Sequence, residues 1–360
     1  MLQNTKYRLL KEKSLNITFF GGSITDGTGA SDMERTSYRA LVTDWFRRTY
    51  PDAEITSHNA AIGGTGTGYA MLRCDRDVTS HSPELIFVEF AANDWGDTFE
   101  NVLPQVETVF RKLRRDLPTA DIVTLFSTYD DIALDAEAGR EYESRSAHTA
   151  AAHRYGIPTV DMGEVLRAKI LRGGGSFDSF IPDTLHPNDT GHRIYADAVT
   201  SRLAEWLTDD AGSQLTAHTL PAPIGTTWCG AHIITPREAE NLSLDGFLIT
   251  DAPNTSRYGS CLTTETEGST FSFTFEGCGF GFCWGSANIG GDVEVRIDGG
   301  NPIRVRNWDH YVRSFDRLRS AIVTCELPEG EHRVSVTALP FCPTDASPER
   351  TVKIDGLFIF

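Results

Sequence analysis

The sequence predicts a two-part chain: a three-layer α/β/α unit on a parallel five-stranded sheet, then an antiparallel β-sandwich. Three observations carry this. In the first 207 residues short apolar runs alternate with amphipathic helical stretches. Near residue 227 the apolar period changes from helical spacing to strict alternation. A polar stretch rich in small residues separates the two regimes. At 360 residues the chain is long enough for two cores, given roughly 100–200 residues per domain.

The elements follow in order. Strands are expected at Leu15–Phe20, Glu54–Asn59, Leu85–Phe90, Ile122–Phe126 and Pro158–Val160. From Asn101, residues Val102, Val106, Val109, Phe110 and Leu113 paint one helical stripe. From Asn188, residues Ile194, Tyr195, Ala198, Val199, Leu203 and Trp206 paint another. Strands alternating with helices call for a parallel sheet covered on both faces. Thr208 to Thr227, with Pro221, Pro223 and Gly225, reads as a linker, giving expected limits of 1–210, 211–227 and 228–360. Beyond it Phe271, Phe273 and Phe275 alternate with Ser and Thr, and Val293, Val295 and Ile297 do likewise. Further strand-like runs fall at Ala321–Cys325, His332–Ala338 and Val352–Phe360, separated by glycine and proline turns. The apolar terminal run Gly356 to Phe360 must be buried somewhere.

Composition excludes several function classes. With 33 basic and 50 acidic side chains the net charge is −17, about −10 before Gly225 and −7 after it. Neither half offers the basic field that nucleic acid or an anionic membrane would need. No window approaches the roughly 18 apolar residues of a spanning helix. Met1 to Ser14 is polar and basic, without the apolar heart of a secretory signal, so a cytoplasmic address is expected. Seven cysteines are an odd number and fit free thiols. Six of them (Cys229, Cys261, Cys278, Cys283, Cys325, Cys342) lie in the second half, which leaves an oxidised C-terminal module open.

Ligands of an open parallel sheet bind beyond the carboxyl ends of its strands. Four segments near those ends are unusual. Gly21-Gly22-Ser23-Ile24-Thr25 follows the first strand and turns sharply enough to expose Ser23, although a plain helix cap fits as well. Ala61-Ile62-Gly63-Gly64-Thr65-Gly66 follows the second. Its backbone N–H groups suit an anion, and simple turn chemistry remains the rival. A dinucleotide site fails on spacing, since the third glycine counted from Gly64 falls on Tyr69. Ala91-Ala92-Asn93-Asp94-Trp95 follows the third strand, where Asn and Asp usually cap the next helix, but an Asn amide there could also meet an oxyanion. Asp183-Thr184-Leu185-His186 precedes the last helix, and its spacing lets the carboxylate reach Nδ1 of the ring, as a general base requires. A lone histidine near a helix start is otherwise structural.

As a set, the blocks GGSIT, AAIGG, AAND and DTLH resemble those of the SGNH (GDSL-type) hydrolase superfamily from about Leu15 to Trp206. The resemblance implies a flavodoxin-like sheet and an acyl-serine mechanism. It makes Ser23 the nucleophile, His186 the base and Asp183 its orienter. The oxyanion hole comes from Ser23, Gly64 and Asn93. It implies no cofactor and no metal. The superfamily's usual Asp before the serine is Gly22 here, which questions how the serine loop is supported. The Gly-Gly-Ser-Ile-Thr form and the appended β-sandwich resemble deacetylases acting on carbohydrate esters. The expected substrate is therefore a small molecule or oligosaccharide carrying short acyl esters, with Trp95 as a candidate sugar contact. Trp284 and Trp308 are weaker candidates of the same kind.

Rival readings remain. A lipase or thioesterase would use the same site with an apolar acyl groove, and an O-acyltransferase would pass the acyl group to an alcohol. A non-catalytic carbohydrate-binding protein would keep the fold without the chemistry. An α/β-hydrolase needs Gly-x-Ser-x-Gly, and position 25 is Thr. Zinc is poorly served, because Cys229 and His232 have no second pair at metal spacing. The sandwich is expected to cover the first domain or to make an oligomer contact, and no site residue is assigned to it.

Overall fold

Strand β1 (Ser14–Gly21) buries Leu15, Ile17, Phe19 and Phe20 and forms the spine of a five-stranded sheet. In this computed structural model, which describes residues 1–129, 132–133, 138–139, 142–208, 212–251, 258–286, 291–307, 317–340 and 351–360, β1 pairs in parallel with both β2 (Glu54–Asn59) and β3 (Leu85–Glu89). Strands β4 (Asp121–Phe126) and β5 (Thr159–Asp161) continue the sheet in the order β2-β1-β3-β4-β5, all parallel. The chain leaves β2 on one side of β1 and returns as β3 on the other. The order therefore reverses around β1, and a crevice opens beyond its carboxyl end. The loops after β1, β2 and β3 all empty there.

One face of the sheet packs on the helices Tyr38–Thr49, Met162–Leu171 and Asp189–Trp206 through Leu41, Val42, Phe46, Leu166, Ile194, Tyr195, Val199 and Leu203. The helices Thr67–Asp77, Phe99–Asp116 and Glu143–Arg154 pack in series as the other layer. The expected stripe Val102, Val106, Val109, Phe110 and Leu113 is fully buried.

The described chain forms two units, Met1–Cys229 and Gly230–Phe360. The polar stretch from Thr208 is tethered to the first unit. Thr216 N–H donates to Asn4 Oδ1 (2.8 Å), His218 bonds Asp121 (2.9 Å), Ile224 N–H donates to Glu107 (2.8 Å) and Trp228 N–H to Thr108 (3.0 Å).

The second unit holds two antiparallel sheets. One contains Val293–Ile297, Gly330–Ala338 and Thr270–Gly277; the other contains Phe280–Ser286, Val352–Ile359 and Cys261–Thr264. Their apolar faces share one core of Phe271, Phe273, Phe282, Trp284, Val295, Val336 and Leu357. Trp284 is fully buried in that core and packs edge-on against Phe282, so it is no sugar contact. The terminal run is the buried strand Val352–Ile359. Cys74, Cys229, Cys261, Cys278 and Cys325 are free thiols. Trp308 and Cys342 lie outside the described residues. No helix among the described residues is long and apolar enough to cross a membrane.

Candidate active site

Beyond β1, Gly22 adopts an extended conformation and starts a single helical turn, Ser23–Asp26, which Gly27 ends at φ +106°. Ser23 is thus the first residue of the turn, at the lip of the sheet. A methyl group on Gly22 would collide with the Asn93 side chain. Gly22 stands where the superfamily usually has Asp, and the Asn93 side chain lies against it. The turn is supported from below instead. Thr25 Oγ1 donates to Glu89 (2.9 Å) and lies 2.7 Å from the Tyr38 hydroxyl. Ser127 also donates to Glu89 (2.7 Å), and burial pushes the Glu89 carboxyl up to about 7.

The Asp183–His186 turn is self-contained. Asp183 Oδ1 accepts the N–H groups of Leu185 (3.0 Å) and His186 (2.6 Å), and Oδ2 accepts His186 Nδ1–H (2.8 Å). Thr184 pays for the tight turn with a left-handed φ of +68°. Partial burial pushes the Asp183 carboxyl up, but its bonds to the His186 N–H and ring and to the Leu185 N–H outweigh this. They hold it below the usual carboxylate value. With Nδ1 carrying the proton, Nε2 is the free lone pair, and it lies 2.9 Å from Ser23 Oγ.

These two groups are 163 residues apart, so other contacts must hold their loops together. Asp189 accepts the N–H (2.8 Å) and hydroxyl (2.6 Å) of Ser31 and the hydroxyl of Thr36 (2.7 Å). His192 accepts the Tyr38 N–H at Nδ1 (3.3 Å) and donates from Nε2 to the Thr28 carbonyl (3.2 Å). Burial lowers its pKa to about 4, so it is neutral. Gly29, at φ +91°, passes so close to the Pro187 carbonyl that no side chain fits.

The other loops converge on the serine. A Cβ on Gly63 would lie 3.6 Å from Ser23 Cβ, and Gly64 turns the chain beside it at φ +71°. Asn93 covers Gly22. Ser23, the Gly63–Gly64 turn, Asn93, His186 and Asp183 are therefore brought to one place. Trp95 is 38% exposed and stands edge-on to Tyr129, with ring centroids 5.9 Å apart.

The sequence pattern of the GDSL-like lipase/acylhydrolase family matches residues 19–194, a span that includes Ser23, Gly63, Gly64, Asn93, Asp183 and His186. Over those residues the chain is similar to that family. It is a carboxylic ester hydrolase. Among solved structures, this acylhydrolase is similar to a two-domain esterase active on acetylated mannans (TM-score 0.88, 24% identity, covering 100% of this chain and 95% of that one). The same kind of esterase co-crystallised with mannopentaose matches with TM-score 0.86 and 23% identity, covering 99% and 94%. Both show the fold. No curated protein matches the sequence.

Several polar residues around the acylhydrolase site escape a reading of the sequence. Asp94 does not cap the helix that follows it; Thr98 does, accepting the Asn101 N–H (3.3 Å). Asp94 instead reaches back to Thr67 and His148. Glu89 closes an otherwise apolar buried strand, a signal that could have been used. Among the described residues no cluster of three or more His, Cys, Asp or Glu side chains suits a metal.

Proposed function

We propose that this acylhydrolase is a serine esterase that removes short acyl groups, acetyl above all, from a carbohydrate. The observation that supports it best is the line from Asp183 through His186 to Ser23 Oγ, at 2.8 and 2.9 Å, beside the Gly64 turn and Asn93. Ser23 Oγ attacks the ester carbonyl while Nε2 of His186 takes its proton. The N–H groups of Ser23 and Gly64 and the Asn93 amide receive the oxyanion. The tetrahedral intermediate expels the sugar alkoxide, which leaves with the proton from His186. Water then gives its proton to the same imidazole and attacks the acyl-serine, releasing the acid and restoring the hydroxyl. Asp183 keeps Nδ1 protonated and offsets the charge of the imidazolium.

The saccharide class rests on two further points. The two-domain esterases that share this fold act on acetylated mannans. Trp95, two residues beyond Asn93 in the chain, is partly exposed, and an indole there suits the apolar side of a sugar ring. The test compares acetate release from acetylated manno-oligosaccharides with hydrolysis of p-nitrophenyl esters of rising chain length, using wild type and Ser23→Ala. Acetyl esters should be cleaved fastest and Ser23→Ala should sit near background. Rates that climb with acyl length would replace this assignment with a lipase or thioesterase.

A further inference from the structure

The two loops proposed to bind the oxyanion come from different strands, and a buried cluster ties them together. The inference rests on the site proposed above. Asp94, next to Asn93, crosses to the start of the helix Thr67–Asp77. Its Oδ1 accepts the Thr67 N–H (2.8 Å), and its Oδ2 accepts the Thr67 hydroxyl and His148 Nε2–H (2.9 Å). Nε2 of His148 also lies 3.2 Å from the Thr67 hydroxyl. All three side chains are buried. Thr67 is only three residues beyond Gly64, and a methyl group on Gly66 would collide with Asp94 Oδ1.

The helix Glu143–Arg154 backs the same loop a second time, because Ser144 donates to the Ala91 carbonyl (3.0 Å). A carboxylate facing the N-terminal N–H groups of a helix is favoured by the helix dipole. Its remaining lone pairs are met by one hydroxyl and one imidazole. The cluster therefore has little freedom to shift, and Asn93 is bonded covalently to it.

We infer that Asp94, Thr67 and His148 are positioning residues for the reaction. They fix the spacing between the Gly64 N–H and the Asn93 amide, so that both donors meet the oxyanion at once. Misplacement by about 1 Å can cost on the order of 100-fold. Asp94→Asn and Thr67→Val should accordingly lower kcat by about 10- to 100-fold while KM stays within about twofold. Thr67→Ser keeps the hydroxyl and should recover most of what Thr67→Val loses.

The decisive experiment measures kcat, KM and melting temperature on active-site-titrated protein for Asp94→Asn, Thr67→Val, His148→Gln and Asn93→Ala. It adds the double variant Asn93→Ala/Asp94→Asn. A brace that acts through Asn93 predicts that the double variant falls little below Asn93→Ala alone. Full multiplication of the two losses overturns the inference. So do variants that melt earlier yet keep wild-type kcat per folded molecule. Thr67→Val and His148→Gln decide the matter where Asp94→Asn does not fold. Should Asn93→Ala itself leave kcat unchanged, the oxyanion assignment fails first. A normal fall for Asn93→Ala with intact Asp94→Asn and Thr67→Val removes the brace alone.

Discussion

Two of the Asp–His pairs in the first unit are nearly equal in length but lie in opposite surroundings. Asp183 and His186 meet at 2.8 Å with side chains 54% and 16% exposed; Asp94 and His148 meet at 2.9 Å with 7% and 0% exposed. In the outer pair the carboxylate binds Nδ1, so Nε2 is left facing Ser23 Oγ. In the inner pair Nε2 itself is occupied by Asp94 and Thr67. The contrast separates two uses of one chemical pair. An imidazole can move a proton only where a nitrogen stays open to a reacting atom. Where that nitrogen is satisfied and dry, the pair holds backbone in place.

Four predictions sharpen or break that contrast. The largest effect belongs to the outer pair and its serine. Ser23→Ala and His186→Ala should each lose on the order of 10⁶-fold in kcat, and the double variant should lose little more. Independent, multiplying losses in steady-state assays would show that the two do not work together. Asp183→Asn should cost about 10⁴-fold, through the wrong tautomer of His186. Gly22→Ala comes next. The methyl group displaces Asn93, so kcat should fall about 10²–10³-fold, matching Asn93→Ala. Wild-type turnover in Gly22→Ala would mean that Asn93 has no part in the transition state.

The fourth prediction concerns stability and reverses the ranking. Asp94→Asn weakens buried hydrogen bonds to a charged group and should cost about 1.5–3 kcal/mol. Asp183→Asn weakens an exposed pair and should cost about 0–1 kcal/mol. Urea midpoints read both directly, and a larger loss for Asp183→Asn breaks the comparison. His192 adds a pH signature from a third, neutral imidazole. Its folded value of about 4 lies below the unfolded value near 6.5, so the unfolded chain takes up the proton first as pH falls. The stability it contributes is complete above about pH 6.5 and drains away down to about pH 4. His192→Gln should flatten the acid side of the stability curve, and superimposable curves would count against it.

Much of this was legible in the sequence. The stripes from Asn101 and Asn188 and the five strands follow from spacing alone, because burial on one or both faces dictates it. Ser23, Asn93, Asp183 and His186 stand out because strand ends and short turns impose visible local patterns, whereas Gly64 is picked out of its glycine-rich turn only by the family resemblance. The supports were not legible, since they join residues distant along the chain. Thr67 and Asp94 are 27 residues apart, and Asp94 and His148 are 54 apart. His148 sits in an alanine-rich helix with no marked polar or apolar face, so nothing nearby shows that it is buried. Gly22 was readable as a departure, but its close approach to Asn93 was visible only in the fold.

The most direct test of the central claim is to trap the covalent intermediate. Wild type is mixed with an acetyl ester, quenched in acid within the first turnovers and digested for mass spectrometry. One acetyl group on the Ser23 hydroxyl, absent from Ser23→Ala and from the His186→Ala control over the same interval, is the predicted result. Turnover with no adduct at Ser23, or with the acetyl group on another side chain, would contradict the account.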